Sequence, residues 1–139
     1  MNYGLMLGVD YMRLERMAVT EDAPMLPVLY KAIGCDMVEI VRVSKLPANY
    51  VLVVDEEGLL KEKPSLNVIG SYLYGTYKHD QPIVGNAVIM KEVMTDEGID
   101  LAWLTKKEID WLEERMEKDI WNRAVTTMSH YFSEKQNVG

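Results

Sequence analysis

The apolar and polar positions between residues 28 and 58 predict the end of a helix followed by two strands. Apolar residues at helical spacing lead to Gly34, which stands where a left-handed cap ends a helix without steric cost. The segments 37–43 and 50–55 are short and rich in β-branched residues, as strands are. We expect the two to pair antiparallel. Segment 50–55 should be buried on both faces, because its apolar residues occur at both parities.

Further strands are predicted on either side of this region. Residues 3–9 and 12–19 are candidate strands, and the joint at Gly8–Tyr11 is compatible with a hairpin. Residues 83–90 are expected to form the last strand of the same sheet. Gly85-Asn86 inside that strand indicates a bulge or a close backbone approach.

The start of the first helix is marked by polar residues and two prolines. Residues 20–22 (Thr-Glu-Asp) offer a side-chain cap and negative charge for a helix N-terminus. Pro24 fits the first turn, where its missing N–H would have no partner in any case. Pro27 either lies at the edge of that turn or forces the helix to begin near Leu26.

The connections in the middle of the chain are more polar. Residues 59–64 are expected to form an exposed, charged connection, and 78–82 a polar loop. Segment 66–74 has some helical spacing but is interrupted by Gly70. It predicts either a short helix or a turn-rich segment.

The strongest helix signal opens at Thr105, which forms a capping-box pattern with Glu108. An apolar stripe follows for about 25 residues, or about 38 Å, which exceeds what a core of this size usually covers. The second half of this helix either packs against another chain or breaks near 119–122 and folds back. We therefore divide the chain into an α+β domain, 1–117, and a helical extension, 118–139.

The overall expectation is an α+β fold, in which one short helix and one long C-terminal helix pack on a small, mostly antiparallel sheet. The apolar surface of the extension predicts a homo-oligomer, most simply a symmetric dimer. The candidate interface residues are Met116, Ile120, Trp121, Ala124, Val125, Met128 and Phe132.

Composition narrows the possible partners. The chain has 139 residues, one cysteine and a formal net charge of −7, from 22 acidic and 15 basic residues. Direct binding to nucleic acid is not expected, because phosphate neutralisation needs a cluster of lysines and arginines. The acidic surface either imitates nucleic acid towards a basic partner or simply keeps the protein soluble. Short apolar runs, a start without a signal peptide and the single cysteine favour a cytoplasmic protein without membrane contact.

The sequence offers little catalytic chemistry. The two histidines, His79 and His130, and Cys35 lie far apart in the sequence, so no metal site or other cofactor is expected. His79-Asp80 resembles half of a metal-dependent phosphohydrolase signature, but no second histidine motif supports it. The serines and glycines lack the spacing of a nucleophile elbow or a phosphate-binding loop. We assign no catalytic residue.

An aromatic and polar patch around 72–86 is the most suggestive candidate site. Its residues are Tyr72, Tyr74, Tyr77, His79 and Asn86. Such side chains can stack on and hydrogen-bond to a small planar ligand, or form a protein-binding hot spot. Alternatively, the tyrosines cover the edge of the core with their hydroxyls in water.

The order of residues over 29–43 (LYKAIGCDMVEIVRV), 51–61 (VLVVDEEGLLK), 83–89 and Leu104-Thr105 resembles the family called domain of unknown function 3846. The resemblance covers roughly residues 3–117 and rests on pattern. It implies a small α/β protein of bacteria, phages, plasmids and integrated elements, without assigned catalytic residues. The pair of prolines and the extension after Glu117 depart from the family pattern.

Three functions are therefore weighed. The first is a non-enzymatic accessory protein that binds and blocks a host immune protein, as the mobile-element context implied by the resemblance suggests. The second is a protein that sequesters a nucleotide-like signal in the tyrosine-rich patch. The third is a metal-dependent phosphohydrolase that uses His79 and Asp80.

Overall fold

The computed structural model describes residues 1–9, 12–62 and 64–138, and within these it forms an α+β fold around an antiparallel sheet. The strands lie in the order β2-β1-β5-β4-β3, and β6 pairs with β5. This confirms the predicted fold class. The strands are β1 (Asn2–Leu7), β2 (Leu14–Val19), β3 (Val38–Arg42), β4 (Tyr50–Asp55), β5 (Ala87–Thr95) and β6 (Gly98–Ala102).

Helices cover both faces of the sheet. They are α1 (Met25–Ile33), α2 (Val68–Tyr74), α3 (Thr76–His79), α4 (Lys106–Arg115) and α5 (Trp121–Val138), with a 3-10 turn at Gly58–Leu60. A π-helical turn at Met116–Ile120 joins α4 to α5, so the long C-terminal helix continues through 119–122. Its predicted capping box at Thr105 is present. None of the helices described is long and apolar enough to cross a membrane.

The predicted β3–β4 pair is antiparallel, and β4 lies inside the sheet between β3 and β5. Val51, Leu52 and Val53 are fully buried. Leu52 contributes to the core beneath the long helix, and Val53 to the core beneath α1. Burial on both faces explains why this strand is apolar at both parities.

The predicted cap of the first helix is wrong. Residues 20–22 lie in a turn closed by the Ala23 N–H, which donates to the Thr20 carbonyl at 3.1 Å. The helix begins at Met25 after Pro24, without a side-chain cap. Pro27 lies in the first turn of the helix, in agreement with the first of the two alternatives predicted for it. Gly34 ends the helix in the left-handed conformation, as predicted.

The predicted strand 83–90 begins later, at Ala87, and it is not the last strand. Residues 83 and 84 pair with the segment before α2 instead, since the Asn67 N–H donates to the Ile83 carbonyl and Leu66 bridges to Val84. A turn at residues 96 and 97 leads from β5 into an additional strand, β6. The predicted β1–β2 hairpin is present, although residues 10 and 11 of its joint lie outside the described residues.

Segment 66–74 contains the helix α2, and the predicted loop 78–82 begins inside the short helix α3. Gly75 adopts a left-handed conformation (φ 90°) that ends α2 and starts α3 directly. The helix α5 packs along α2, and its Ala124 and Met128 are fully buried in the common core. The helix α5 therefore contributes side chains to the same core as α2.

Candidate binding surfaces

The close succession of α2 and α3 brings together four of the five predicted patch residues. The rings of Tyr72 and Tyr77 stack with their centroids 5.9 Å apart, at an interplanar angle of 19°. The ring of Tyr74 meets that of His79 edge-on at 4.6 Å. Tyr72 is buried and supports Tyr77, which is half-buried. We refer to Tyr72 and Tyr77 as the tyrosine stack.

His79 uses both ring nitrogens inside the protein. Its Nδ1 accepts a hydrogen bond from the Gln81 N–H (3.2 Å), so the ring proton lies on Nε2, which faces the Tyr74 carbonyl at 3.1 Å. The neighbouring Asp80 accepts from the Tyr131 hydroxyl (2.5 Å) and pairs with Lys135 (3.0 Å). These two contacts lower the pKa of Asp80. In the part of the chain that the structure describes, no three His, Cys, Asp or Glu side chains converge as a metal site.

Lys45, which sequence reasoning missed, lies against the tyrosine stack. Its Nζ is 5.4 Å from the centroid of Tyr72 and 5.3 Å from that of Tyr77. The Tyr77 hydroxyl is the main cause that raises the pKa of Lys45. The Nζ of Lys78 is 5.7 Å from the centroid of the Tyr77 ring. No sequence motif links residue 45 to residues 72–78, because only the folded chain brings them together.

A cavity of about 280 Å³ opens beside Tyr77, between α3 and α5. The ring of Tyr131 lies on the α5 side of this cavity. It is fixed by its hydrogen bond to Asp80 and by an edge-on contact with the ring of Phe132, whose centroid is 5.3 Å away. The lining residues are Tyr77, Asp80, Tyr131, Glu134 and Lys135. This cavity combines aromatic walls with both signs of charge.

The structure does not bring Asn86 to the other patch residues. Its Oδ1 accepts from the Val9 N–H (3.1 Å) and its Nδ2 donates to the Ala32 carbonyl (3.4 Å), so it ties the segment after β1 to α1. It lines a separate cavity of about 210 Å³, in which Asp55 pairs with Lys61 at 3.2 Å. Asn86 precedes β5 directly, and this places it beside α1 rather than beside α2.

Most side chains of the predicted oligomer interface are buried inside the chain itself. The long helix packs on the sheet face and on α2, and this packing buries its residues Met116, Ile120, Ala124 and Met128. A partner chain cannot contact these four side chains. Only the half-buried members are left for an interface, namely Trp121, Val125 and Phe132.

The hairpin formed by β5 and β6 is a second candidate surface, which sequence reasoning missed. Met94 and Ile99 are direct cross-strand partners and are 79% and 57% exposed. The pairing of β4 with β5 ends at Lys91, so the hairpin extends beyond β4. Within the described residues, β6 pairs with β5 alone. We call residues 92–101 the acidic hairpin.

Its acidic residues are Glu92, Asp96, Glu97 and Asp100. Glu92 pairs with Arg42, whereas the other three have no ion-pair partner in the described chain. The turn is ordered by Thr95, whose hydroxyl donates to the Gly98 carbonyl (3.0 Å) and accepts from the Glu97 N–H (3.3 Å). The apolar pair therefore lies on an ordered hairpin that carries negative charge.

Comparison with known protein families places the chain in one of them. The model described as "Domain of unknown function (DUF3846)" matches residues 9–117. No curated protein and no solved structure matches the chain. The family carries no known activity, so it brings no catalytic residue to any of the surfaces above.

Proposed function

This chain belongs to the family described as domain of unknown function 3846, and we propose that it is a non-enzymatic protein that binds and blocks a protein partner. The acidic hairpin is the contact surface. The observation that carries this proposal is the exposed Met94–Ile99 pair on a hairpin that also carries Asp96, Glu97 and Asp100. Apolar anchors surrounded by a polar rim are the usual anatomy of a protein interface.

The charge of the hairpin indicates the chemistry of the partner. The carboxylates of Asp96, Glu97 and Asp100, which form no ion pair within the described residues, attract a basic surface and repel a second copy of the same hairpin. The free edge of β6 can also add a strand from the partner through backbone hydrogen bonds. The best match is a basic face with an apolar recess.

A basic face of this kind is typical of proteins that bind nucleic acid. An acidic, compact surface can occupy such a face in place of phosphates. Together with the mobile-element context that the resemblance implies, this leads to a more specific proposal. The partner is a host defence protein in the cytosol, and the acidic hairpin blocks its nucleic-acid-binding face.

The proposal is tested by capture from bacterial lysate with the wild-type chain and three variants. One carries Met94→Ser and Ile99→Ser, and a second carries Asp96→Asn, Glu97→Gln and Asp100→Asn. The matched control is Leu60→Ser, since Leu60 is 83% exposed but lies beyond the opposite end of β4. The captured protein is then purified, and its binding to all four chains is measured at two salt concentrations.

We expect a basic partner whose binding is lost in both hairpin variants, unchanged in Leu60→Ser, weakened by salt and competed by DNA. Capture that survives both hairpin variants contradicts the proposed surface. Binding that neither salt nor DNA weakens contradicts the proposed chemistry of the partner.

A further inference from the structure

The tyrosine stack is surrounded by positive charge, although the protein as a whole is acidic. The Nζ atoms of Lys45 and Lys78 lie 5.3 and 5.7 Å from the centroid of the Tyr77 ring. Neither lysine forms an ion pair within the described residues, although the chain carries a net charge of −7. Contact with aromatic faces holds the ammonium groups but leaves their charge uncompensated.

Aromatic surface lies directly next to these cations. Tyr77 contacts the lysines and also lines the cavity of about 280 Å³, whose α5 side is formed by Tyr131. Tyr72 supports Tyr77 from within the core, and Asp80 fixes Tyr131 through its hydroxyl. Both rings are therefore held in place before any ligand binds. A planar ring gains most from stacking when the aromatic side chains need no reordering.

Polar groups complete the site. Lys135 and the carboxylates of Asp80 and Glu134 line the same cavity. A carboxylate accepts hydrogen bonds from the amino groups of a base or the hydroxyls of a sugar. The molecule thus combines, around one side chain, a stacking surface, hydrogen-bond acceptors and uncompensated cations.

From this arrangement we infer that the protein binds a nucleoside 5′-phosphate, with the base in the cavity between Tyr77 and Tyr131 and the phosphate at Lys45 and Lys78. This site is independent of the acidic hairpin and adds a ligand-binding function to the proposed one. A small ligand fits better than a nucleic-acid strand, because the remaining acidic surface repels a polyanion.

The test is calorimetric titration of the full chain with AMP, GMP, CMP and UMP, with adenosine and inorganic phosphate as partial probes. We expect at least one nucleotide to bind in the micromolar to millimolar range, and each partial probe to bind at least tenfold more weakly. The variants Tyr77→Leu and Lys45→Met should each weaken the binding of that nucleotide by about tenfold. Lys45→Met removes the ammonium group and keeps most of the length of the unbranched side chain.

The matched controls are Tyr30→Leu and Lys31→Met on α1, which covers the other face of the sheet. They should leave nucleotide binding unchanged. Absence of binding by all four nucleotides at millimolar concentration overturns the inference. Equal binding of inorganic phosphate and nucleotide also overturns it, because the cluster would then be a site for anions alone. Neither result affects the hairpin variants, so the two proposals fail separately.

Discussion

Arg42 and Glu92 form an ion pair that crosses strand β4 above Val51. Arg42 is the cross-strand partner of Val51, and Glu92 stands two residues after Met90, the partner of Val51 on the other side. The guanidinium hydrogen-bonds to the carboxylate, so the pair covers a fully buried valine on the sheet face that also carries α1. Glu92 is only 14% exposed, whereas Arg42 is 69% exposed.

This ion pair predicts that Arg42→Ala and Glu92→Ala affect the free energy of unfolding non-additively. Arg42→Ala should lower the free energy of unfolding by about 1 kcal/mol, because it leaves a largely buried carboxylate without its partner. The double variant Arg42→Ala/Glu92→Ala should cost less than the sum of the single variants, with a coupling of about 0.5 kcal/mol. Urea unfolding of the four chains measures the coupling. Strict additivity would show that the pair contributes nothing.

Asn67 should be one of the most sensitive positions in the chain. Its buried side chain donates to the carbonyls of Leu7 and Gly85, both at 2.9 Å, and accepts from the Gly70 N–H as the cap of α2. We expect Asn67→Ala to lower the free energy of unfolding by about 3 kcal/mol, since it removes a cap and leaves two carbonyls unpaired. Asn86→Ala is the control, with an expected loss of about 1 kcal/mol. Equal losses would contradict this role of Asn67.

The lowered pKa of Glu108 predicts that its contribution to the free energy of unfolding depends on pH. Partial burial disfavours its charged form, but hydrogen bonds from Lys91 and from Thr105 outweigh this and lower its pKa below the ordinary 4.5. A group with a lowered pKa stabilises the fold above its unfolded pKa and loses that contribution as the pH falls through its folded pKa. The stability difference between wild type and Glu108→Gln should therefore be full at neutral pH and shrink below about pH 4.5. A difference that is independent of pH would show that the carboxylate charge is not involved.

Substitutions at buried and half-buried positions of α5 separate its role in folding from a role in self-association. A chain truncated after Lys118 lacks Ala124 and Met128, which are fully buried in the core, so it should lose cooperative unfolding altogether. Met128→Ala alone should cost about 3 kcal/mol, whereas Val125→Ser at a half-buried position should cost less than about 1 kcal/mol. Thermal unfolding and light scattering are measured together. A stably folded truncated chain would show that α5 is dispensable for the core.

The homo-oligomer stays a prediction, now restricted to the half-buried surface of the long helix. The double variant Trp121→Ser/Val125→Ser should shift any dimer towards the monomer in light scattering, because these side chains are still accessible to a partner. A wild-type chain that is monomeric at micromolar concentration would contradict self-association.

The elements that sequence reasoning predicted best are those whose signal is local or redundant. The strand β4 is apolar at every position from Val51 to Val54, so its burial does not depend on knowing its neighbours. The capping box of α4 lies within four residues. The strand β6 was not predicted, because its sequence, GIDLA, is short and half polar and its pairing depends on the hairpin turn.

The candidate sites show the same division. Tyr72, Tyr74, Tyr77 and His79 are neighbours in sequence, and a single turn at Gly75 was enough to bring them together. Asn86 is near these residues in sequence, but its long-range hydrogen bonds hold it beside Val9, after β1, and Ala32 of α1. Lys45 and Tyr131 reach the patch only through the packing of the loop after β3 and of α5. Such contacts between distant segments leave no local pattern.

The most direct test of the proposed function is photo-crosslinking in bacterial cells. A photoreactive phenylalanine analogue replaces Met94 in one chain and Leu60 in another, and both side chains are highly exposed. If the acidic hairpin binds a basic protein partner, the chain labelled at position 94 should give one defined crosslinked product with a basic protein, and addition of the three neutralising substitutions at Asp96, Glu97 and Asp100 should abolish it. The same product from position 60, or no product from position 94 in cells where the partner is captured, would contradict the account.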